Sequence, residues 1–243
     1  MVSVCIASFN GEKYIKEQIL SILNQIDSND EIIISDDAST DKTLSIIEGI
    51  EDLRIKILSG KVFRDPIKNF QNALLHAKGN FIFLSDQDDV WREGKYKEML
   101  QLLYNYDLIV SDSVIVNEQL QTIHPSFFKY FNSGKGIVKN IIKSSYYGSC
   151  MAFKKQVLSV ALPFPDTKEI GHDLWIGLVA EITGKVYFYP KPLLLYRRHH
   201  AAFTPVNVGR SSRTKYQMLR GRIIMIKEVF KFYIKYKLNW KKD

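Results

Sequence analysis

Cysteine is almost absent from this 243-residue chain: Cys5 and Cys150 are the only two, too few for a four-thiolate zinc site. They lie far apart and Cys5 sits in an apolar run, so both thiols are expected to be reduced and structural. Glycine-rich phosphate loops are missing as well. Neither G-x-G-x-x-G nor G-x-x-x-x-G-K-[ST] occurs, which argues against a nicotinamide-binding Rossmann domain and a P-loop nucleotidase. No uncharged run approaches the roughly 18 to 20 residues that span a bilayer. The start, MVSVCIASFN, lacks the basic segment of a secretory signal, so a cytoplasmic protein is expected. Internal repeats and low-complexity tracts are also lacking.

What is present suffices for one sizeable core: 46% of residues are hydrophobic and 25% charged, a balance that excludes disorder and collagen-like repetition. The net charge of +8 is unevenly spread. Residues 210–243 carry eleven Lys and Arg against two acids, a local +9, and the preceding 209 residues sum to −1. A neutral body therefore bears a basic tail.

The first hundred residues alternate short β-branched runs with helical patterns, the signature of βαβ units and a mostly parallel sheet. Strands are predicted over Val2 to Ala7, Glu31 to Ser35, Arg54 to Leu58 and Asn80 to Ser85, with helices over Glu12 to Gln25 and Ile67 to Ala77. Ser39 or Thr40 is placed to cap a third helix reaching Ile50. A helix through Tyr104 then leads to short strands at Leu108 to Ser111 and Val114 to Asn117, so the second half reads as mixed. Within residues 119–149 only a helix near Ile137 to Lys143 is predicted. Later strands are Met151 to Phe153, Lys185 to Tyr189 and Leu193 to Tyr196.

Three strands end in acids: Asp36 and Asp37, then Asp86, Asp88 and Asp89, then Asp112. Ligands of open parallel sheets sit outside the carboxyl ends of the strands, so these acids are candidates to line one crevice beside Ser8, Phe9 and Asn10. Two carboxylates about 5 Å apart repel by about 3 kcal/mol at an effective dielectric near 20. Such a crevice needs compensation, and a hard divalent cation bridging carboxylates to substrate phosphates provides it. Capping of the helix after Trp91 is the plainer use of the same acids.

Four segments in order, VSVCIASFNGEKYIKEQILSILNQ, DEIIISDDASTDKT, KGNFIFLSDQDDVW and GHDLWIGL with YRRHH, resemble family 2 glycosyltransferases of the GT-A fold, in particular bacterial enzymes that build surface polysaccharides, many of them rhamnosyltransferases. The resemblance covers roughly residues 2 to 200. It implies an α/β, Rossmann-like, mixed but mostly parallel sheet flanked by helices. The catalytic domain would span residues 1–209, with a nucleotide-sugar half at 1–112, an acceptor half at 113–209 and a basic amphipathic helical tail at 210–243.

The resemblance also implies roles. The Ser8-Phe9-Asn10 backbone and Asp36 would hold base and ribose, with Asp37 supporting the loop and Asn69 lining the donor pocket. Asp86-Gln87-Asp88 matches the family's DxD element, with Asp86 towards ribose or metal and Asp88 a direct ligand of Mn2+ or Mg2+. His199 matches a histidine that completes the metal shell, with His200 its neighbouring competitor. Asp173 matches the catalytic base, the group that takes the acceptor hydroxyl's proton in a single inverting displacement. His172 would orient Asp173 or cap its helix. Arg197 or Arg198 would neutralise leaving-group phosphate. Trp91 and Trp175 either present a face to the acceptor sugar or pack in the core.

In the tail, Tyr216, Leu219, Ile223, Ile226, Phe230 and Tyr233 or Ile234 recur at helical spacing, with Lys227, Lys231 and Lys235 every fourth residue. This helix either attaches to an anionic membrane, helped by Phe232 and Trp240, or packs on the body. Nucleic acid is not an expected partner, since no binding motif accompanies the charge. The expected activity is transfer from a UDP- or dTDP-sugar to a lipid-linked saccharide at the inner face of the cell membrane. The rivals are a sugar nucleotidyltransferase and an inactive sugar-binding or membrane scaffold.

Overall fold

The computed structural model describes residues 1–199 and 214–240. His200, residues 210–213 and 241–243 of the tail, and the Trp240 side chain lie outside the described residues.

The N-terminal half alternates strand and helix: β1 (Val2–Ser8), α1 (Ile15–Leu23), β2 (Glu31–Asp36), α2 (Thr43–Glu48), β3 (Ile55–Leu58), α3 (Pro66–Leu75) and β4 (Phe81–Asp86). These four strands are mutually parallel, β1 pairing with both β2 and β4, so the ends of β1, β2 and β4 share one edge. Burial on both faces explains their continuous apolar runs. Helix α1 presents Ile15, Ile19 and Ile22, each fully buried, and each contributes about 1.5–3 kcal/mol by leaving water. Helix α3 opens on an Asp65 cap whose side chain accepts Ile67 N–H, with Pro66 in the first turn.

The second half inserts into the same sheet. It comprises β5 (Val90–Trp91), α4 (Lys95–Leu103), β6 (Leu108–Val116), β7 (Thr122–His124), α5 (Phe127–Phe131), α6 (Ile137–Ile142), a 3-10 turn at Gly148–Cys150, β8 (Met151–Lys154), α7 (Lys155–Ala161), α8 (His172–Thr183), β9 (Val186–Arg197) and α9 (Lys215–Trp240). The strand order is β3-β2-β1-β4-β8-β6-β9-β5, with β7 on β6. Strand β8 runs antiparallel between β4 and β6, whereas β6 and β9 are parallel.

Two expected breaks are absent. The runs expected at Leu108 to Ser111 and Val114 to Asn117 merge into the single strand β6, which ends at Val116, and those at Lys185 to Tyr189 and Leu193 to Tyr196 merge into β9, which starts at Val186. The register shifts around Asp112 let Pro192 pair next after Tyr189, so a bulge absorbs what the prolines would interrupt. The third helix starts later than expected, at Thr43 after Lys42. Ser39 is hydrogen-bonded to Asp36 and Thr40 to Asn10, so neither caps it. Both cysteines are buried free thiols, and burial pushes Cys150 up to about 12.

Candidate active site

The edge where β1, β2 and β4 end is crossed by the end of β9, and the acids gather there. Asp88 Oδ2 lies 2.8 Å from His199 Nε2, although 111 residues separate them. The His199 ring packs 4.7 Å from the Tyr14 ring. Asp86 N–H donates to Ser149 Oγ (2.8 Å). Burial first, then the charges of Asp88 and Asp173, raise the Asp86 carboxyl to about 7. Burial, Asp88 and Asp86 raise Asp89 well above the carboxylate range. Asp89 Oδ1 accepts Arg197 N–H (2.9 Å), while Oδ2 is buried without a hydrogen-bond partner. Asp88 and His199 are thus in direct contact, and Asp86, at the end of β4, lies near enough to Asp88 and to Asp173 on α8 for both charges to act on it.

These donors suit a hard cation. A carboxylate oxygen and an imidazole nitrogen already stand within contact of each other, and an orphaned carboxylate oxygen and unrelieved negative charge lie beside them. Among the described residues no three metal-capable side chains converge on a single point.

The opposite rim is tied together by its own polar groups. Ser8 Oγ and Ser39 Oγ donate to Asp36 Oδ2, each at 2.7 Å, and Ser39 N–H donates to Oδ1. Asp36 is fully buried, a brace beneath the rim. Asp37 accepts backbone N–H groups of Phe63, Arg64 and Asp65 and so holds the loop before α3. Gln87 clamps Phe9 from both sides: Oε1 accepts Phe9 N–H (2.9 Å) and Nε2 donates to Phe9 O (3.0 Å). The Phe9 ring is left 54% exposed. Asn10, in the left-handed region at φ 47°, donates its N–H to Ser39 Oγ. Asn69 Nδ2 donates to Ser8 O (3.1 Å), and its Oδ1 is a buried acceptor without a partner. A ligand N–H would satisfy that oxygen.

Asp173 stands in the first turn of α8, where the helix dipole favours a carboxylate. Its Oδ1 accepts Leu174 N–H (2.7 Å). A Cβ on Gly148 would touch both His172 Nε2 (3.3 Å) and Asp173 Cβ (3.9 Å). The 3-10 turn is therefore pressed against α8, and glycine permits the approach.

Several expected roles are not taken up. His172 neither caps α8, where Gly171 is the cap residue without a side-chain bond, nor hydrogen-bonds Asp173. It stacks on Phe70 at 4.1 Å, with Nε2 unpartnered, and burial lowers its pKa. Trp91 and Trp175 are core residues. Trp91 packs against Phe83 and donates Nε1 to Ser85 Oγ, and Trp175 donates Nε1 to Ala161 O (2.9 Å) and meets Phe232 edge-on. With 4% and 5% exposure, neither offers a face to an acceptor sugar. Arg197 is spent on the fold: it donates to Asp88 O, Glu118 O and the Glu17 carboxylate and lies over Tyr14. Asp112 accepts Ser126 Oγ and Phe128 N–H, so it anchors the start of α5.

Lys95 was missed. It is fully buried, its Nζ donates to Ser149 O and lies 5.0 Å from the centre of the Trp91 ring. Burial lowers its pKa to about 8 against the pull of Asp89 and Asp86. A buried cation thus backs the acid centre. Its signal was positional: Lys95, Met99 and Leu103 share the buried stripe of α4.

The profile described as "Glycosyl transferase family 2" matches residues 3–161. The chain is 31% identical over 233 residues to a dTDP-rhamnosyl transferase of Shigella flexneri, covering 88% of this chain and 77% of that protein. It is 36% identical over 195 residues to the Escherichia coli UDP-Glc:alpha-D-GlcNAc-diphosphoundecaprenol beta-1,3-glucosyltransferase WfaP, covering 74% and 71%. In structure it is similar to S. aureus TarS in complex with UDP-GlcNAc, with a TM-score of 0.70, 19% identity and coverage of 92% of this chain and 65% of that one. The chain thus spans less than two thirds of that neighbour's length.

Proposed function

Because the chain belongs to glycosyl transferase family 2, whose relatives here include enzymes of lipid-linked saccharides, we propose that it moves a sugar, with inversion, from a UDP- or dTDP-sugar to a hydroxyl of a lipid-linked saccharide in surface-polysaccharide synthesis. One observation carries the reading: Asp86 feels the charge of both Asp88 and Asp173, and Asp88 touches His199. This nearness supports a reading in which Asp88 and His199 serve a cation and Asp173 serves as proton acceptor at neighbouring positions.

The donor's base and ribose fall to the rim braced by Asp36, where the exposed Phe9 ring and the Asn69 Oδ1 acceptor are available; uracil and thymine both present an N3–H donor. Asp88 and His199 would hold Mn2+ or Mg2+, leaving positions for diphosphate oxygens and water. When bound, that ion stabilises the charge of the departing diphosphate. Asp173 accepts the acceptor hydroxyl's proton as the hydroxyl oxygen bonds the anomeric carbon and the bond to diphosphate breaks. Lys95, behind the acids, favours their ionised forms.

A thermal-shift screen of nucleotide sugars with Mn2+ or Mg2+, followed by transfer assays on diphosphate-lipid saccharides, tests this. The matching donor is expected to stabilise by about 2.7 kcal/mol at a hundredfold its dissociation constant. No turnover of any nucleotide sugar with acceptor supplied would favour the scaffold reading.

A further inference from the structure

Helix α9 is apolar on two sides. Its inner side packs on α6 and α8: Met225 is buried, Phe232 lies edge-on to Trp175 at 5.6 Å, and Arg222 donates to Ile142 O at 3.1 Å. Its outer side carries Leu219, Ile223, Ile226, Phe230, Ile234 and Leu238, all 42–62% exposed. These include most of the stripe whose periodicity marks the helix in the sequence. It faces away from the core because a second stripe, from Met218 to Tyr236, makes the contact. Beside it, α6 exposes Val138 and Ile142 (71% and 58%).

Charge identifies the occupant. Lys227, Lys231 and Lys235 are exposed along the outer side, and α6 adds exposed Lys143. Seven basic residues in α9 face one acid, Glu228, which pairs with Lys231 at 2.7 Å. A second copy of the chain on this face would set lysine rows against each other, a like-charge contact that disfavours the pair. An apolar stripe edged with lysine instead fits an anionic interface, with the apolar groups at the acyl boundary and the ammonium groups among phosphates.

We propose that the outer faces of α9 and α6 together form a docking surface for an anionic lipid bilayer, held against α8, whose first turn carries Asp173. Trp175, which touches Phe232, is two residues beyond Asp173. Helix α8 therefore links the docking surface to the residue proposed as proton acceptor. Only this last link, bringing a membrane-held acceptor to Asp173, rests on the transferase reading.

The test is co-sedimentation of the full chain with phosphatidylglycerol and with phosphatidylcholine vesicles. The chain is expected to pellet with the former, increasingly weakly as salt rises. The triple variant K227Q/K231Q/K235Q is expected to bind about a hundredfold more weakly, each lysine contributing roughly fivefold. Phe230→Ser with Ile234→Ser is expected to lose binding while circular dichroism, thermal midpoint and donor hydrolysis match the parent. V138S/I142S tests the α6 share, with weaker binding expected. Equal binding to both lipids, or parental binding by F230S/I234S, overturns the proposal. So does a dimer in sedimentation velocity that F230S/I234S dissolves without any lipid binding. Donor hydrolysis is read independently, so failure of docking is distinct from failure of the enzymatic assignment.

Discussion

Asp86 stands where burial and neighbouring carboxylates act on one group, and its chemistry is visible in pH. Its carboxyl is raised to about 7, so in limiting metal kcat/KM is expected to fall as pH drops through that value. Added Mn2+ moves the limb to lower pH, because a cation favours the carboxylate. Stability follows the same sign. The folded value exceeds the unfolded one near 3.8, so the contribution is complete below 3.8 and is lost as pH rises through about 7. The thermal midpoint of the metal-free protein should decline across that window, and Asp86→Asn should flatten the decline. Lys95→Met removes the buried cation and is expected to shift the kcat/KM limb upward; an unchanged profile would make Lys95 a packing residue only. Asp173→Asn is expected to keep donor binding by calorimetry and lose transfer by about 10²–10⁴-fold, whereas Asp88→Ala weakens metal-dependent donor binding itself. Normal transfer by Asp173→Asn would remove the base assignment. As candidates, Asp86, Asp88 and Asp173 stand out in the sequence because short motifs carry them. The use of Arg197 does not, because its partners come from residues 17, 88 and 118.

At the scale of elements, α8 carries Asp173, the proposed proton acceptor, and the seat of the helix depends on a glycine inside it. A Cβ on Gly177 would stand 2.4 Å from the Tyr146 ring, which is 1% exposed and hydrogen-bonded to Glu181. Alanine gains about 1 kcal/mol of helix propensity, but overpacking against a fixed ring costs about 1–3 kcal/mol. Gly177→Ala should therefore lower the thermal midpoint in calorimetry by a few degrees; a rise would mean that Tyr146 moves freely. The parallel strands were readable from their short continuous apolar runs, and α1 and α3 from their helical apolar period. Strands β6 and β9 read as broken because their prolines and Asp112 look like interruptions, and only pairing between the two shows the bulge that accommodates them. Strand β5 has two residues, too few for any periodicity.

For the whole molecule, α9 joins the body rather than hanging from it, and this governs what truncation does. Removing residues 212–243 should abolish vesicle binding and also lower the thermal midpoint, since Trp175 loses Phe232 and α6 loses its neighbour; a truncated chain as stable as the parent would contradict the packing. Among the described residues no helix is long and apolar enough to cross a membrane. The sequence by itself determined the strand and helix alternation, the acids at strand ends and the basic apolar tail, because each is written within a few neighbouring residues. The tertiary structure alone decided which polar groups are spent on one another, that Trp91 and Trp175 are core, that Lys95 is buried beneath the acids, and which side of α9 faces outward. Those outcomes depend on partners up to 180 residues away, whose proximity no local pattern encodes.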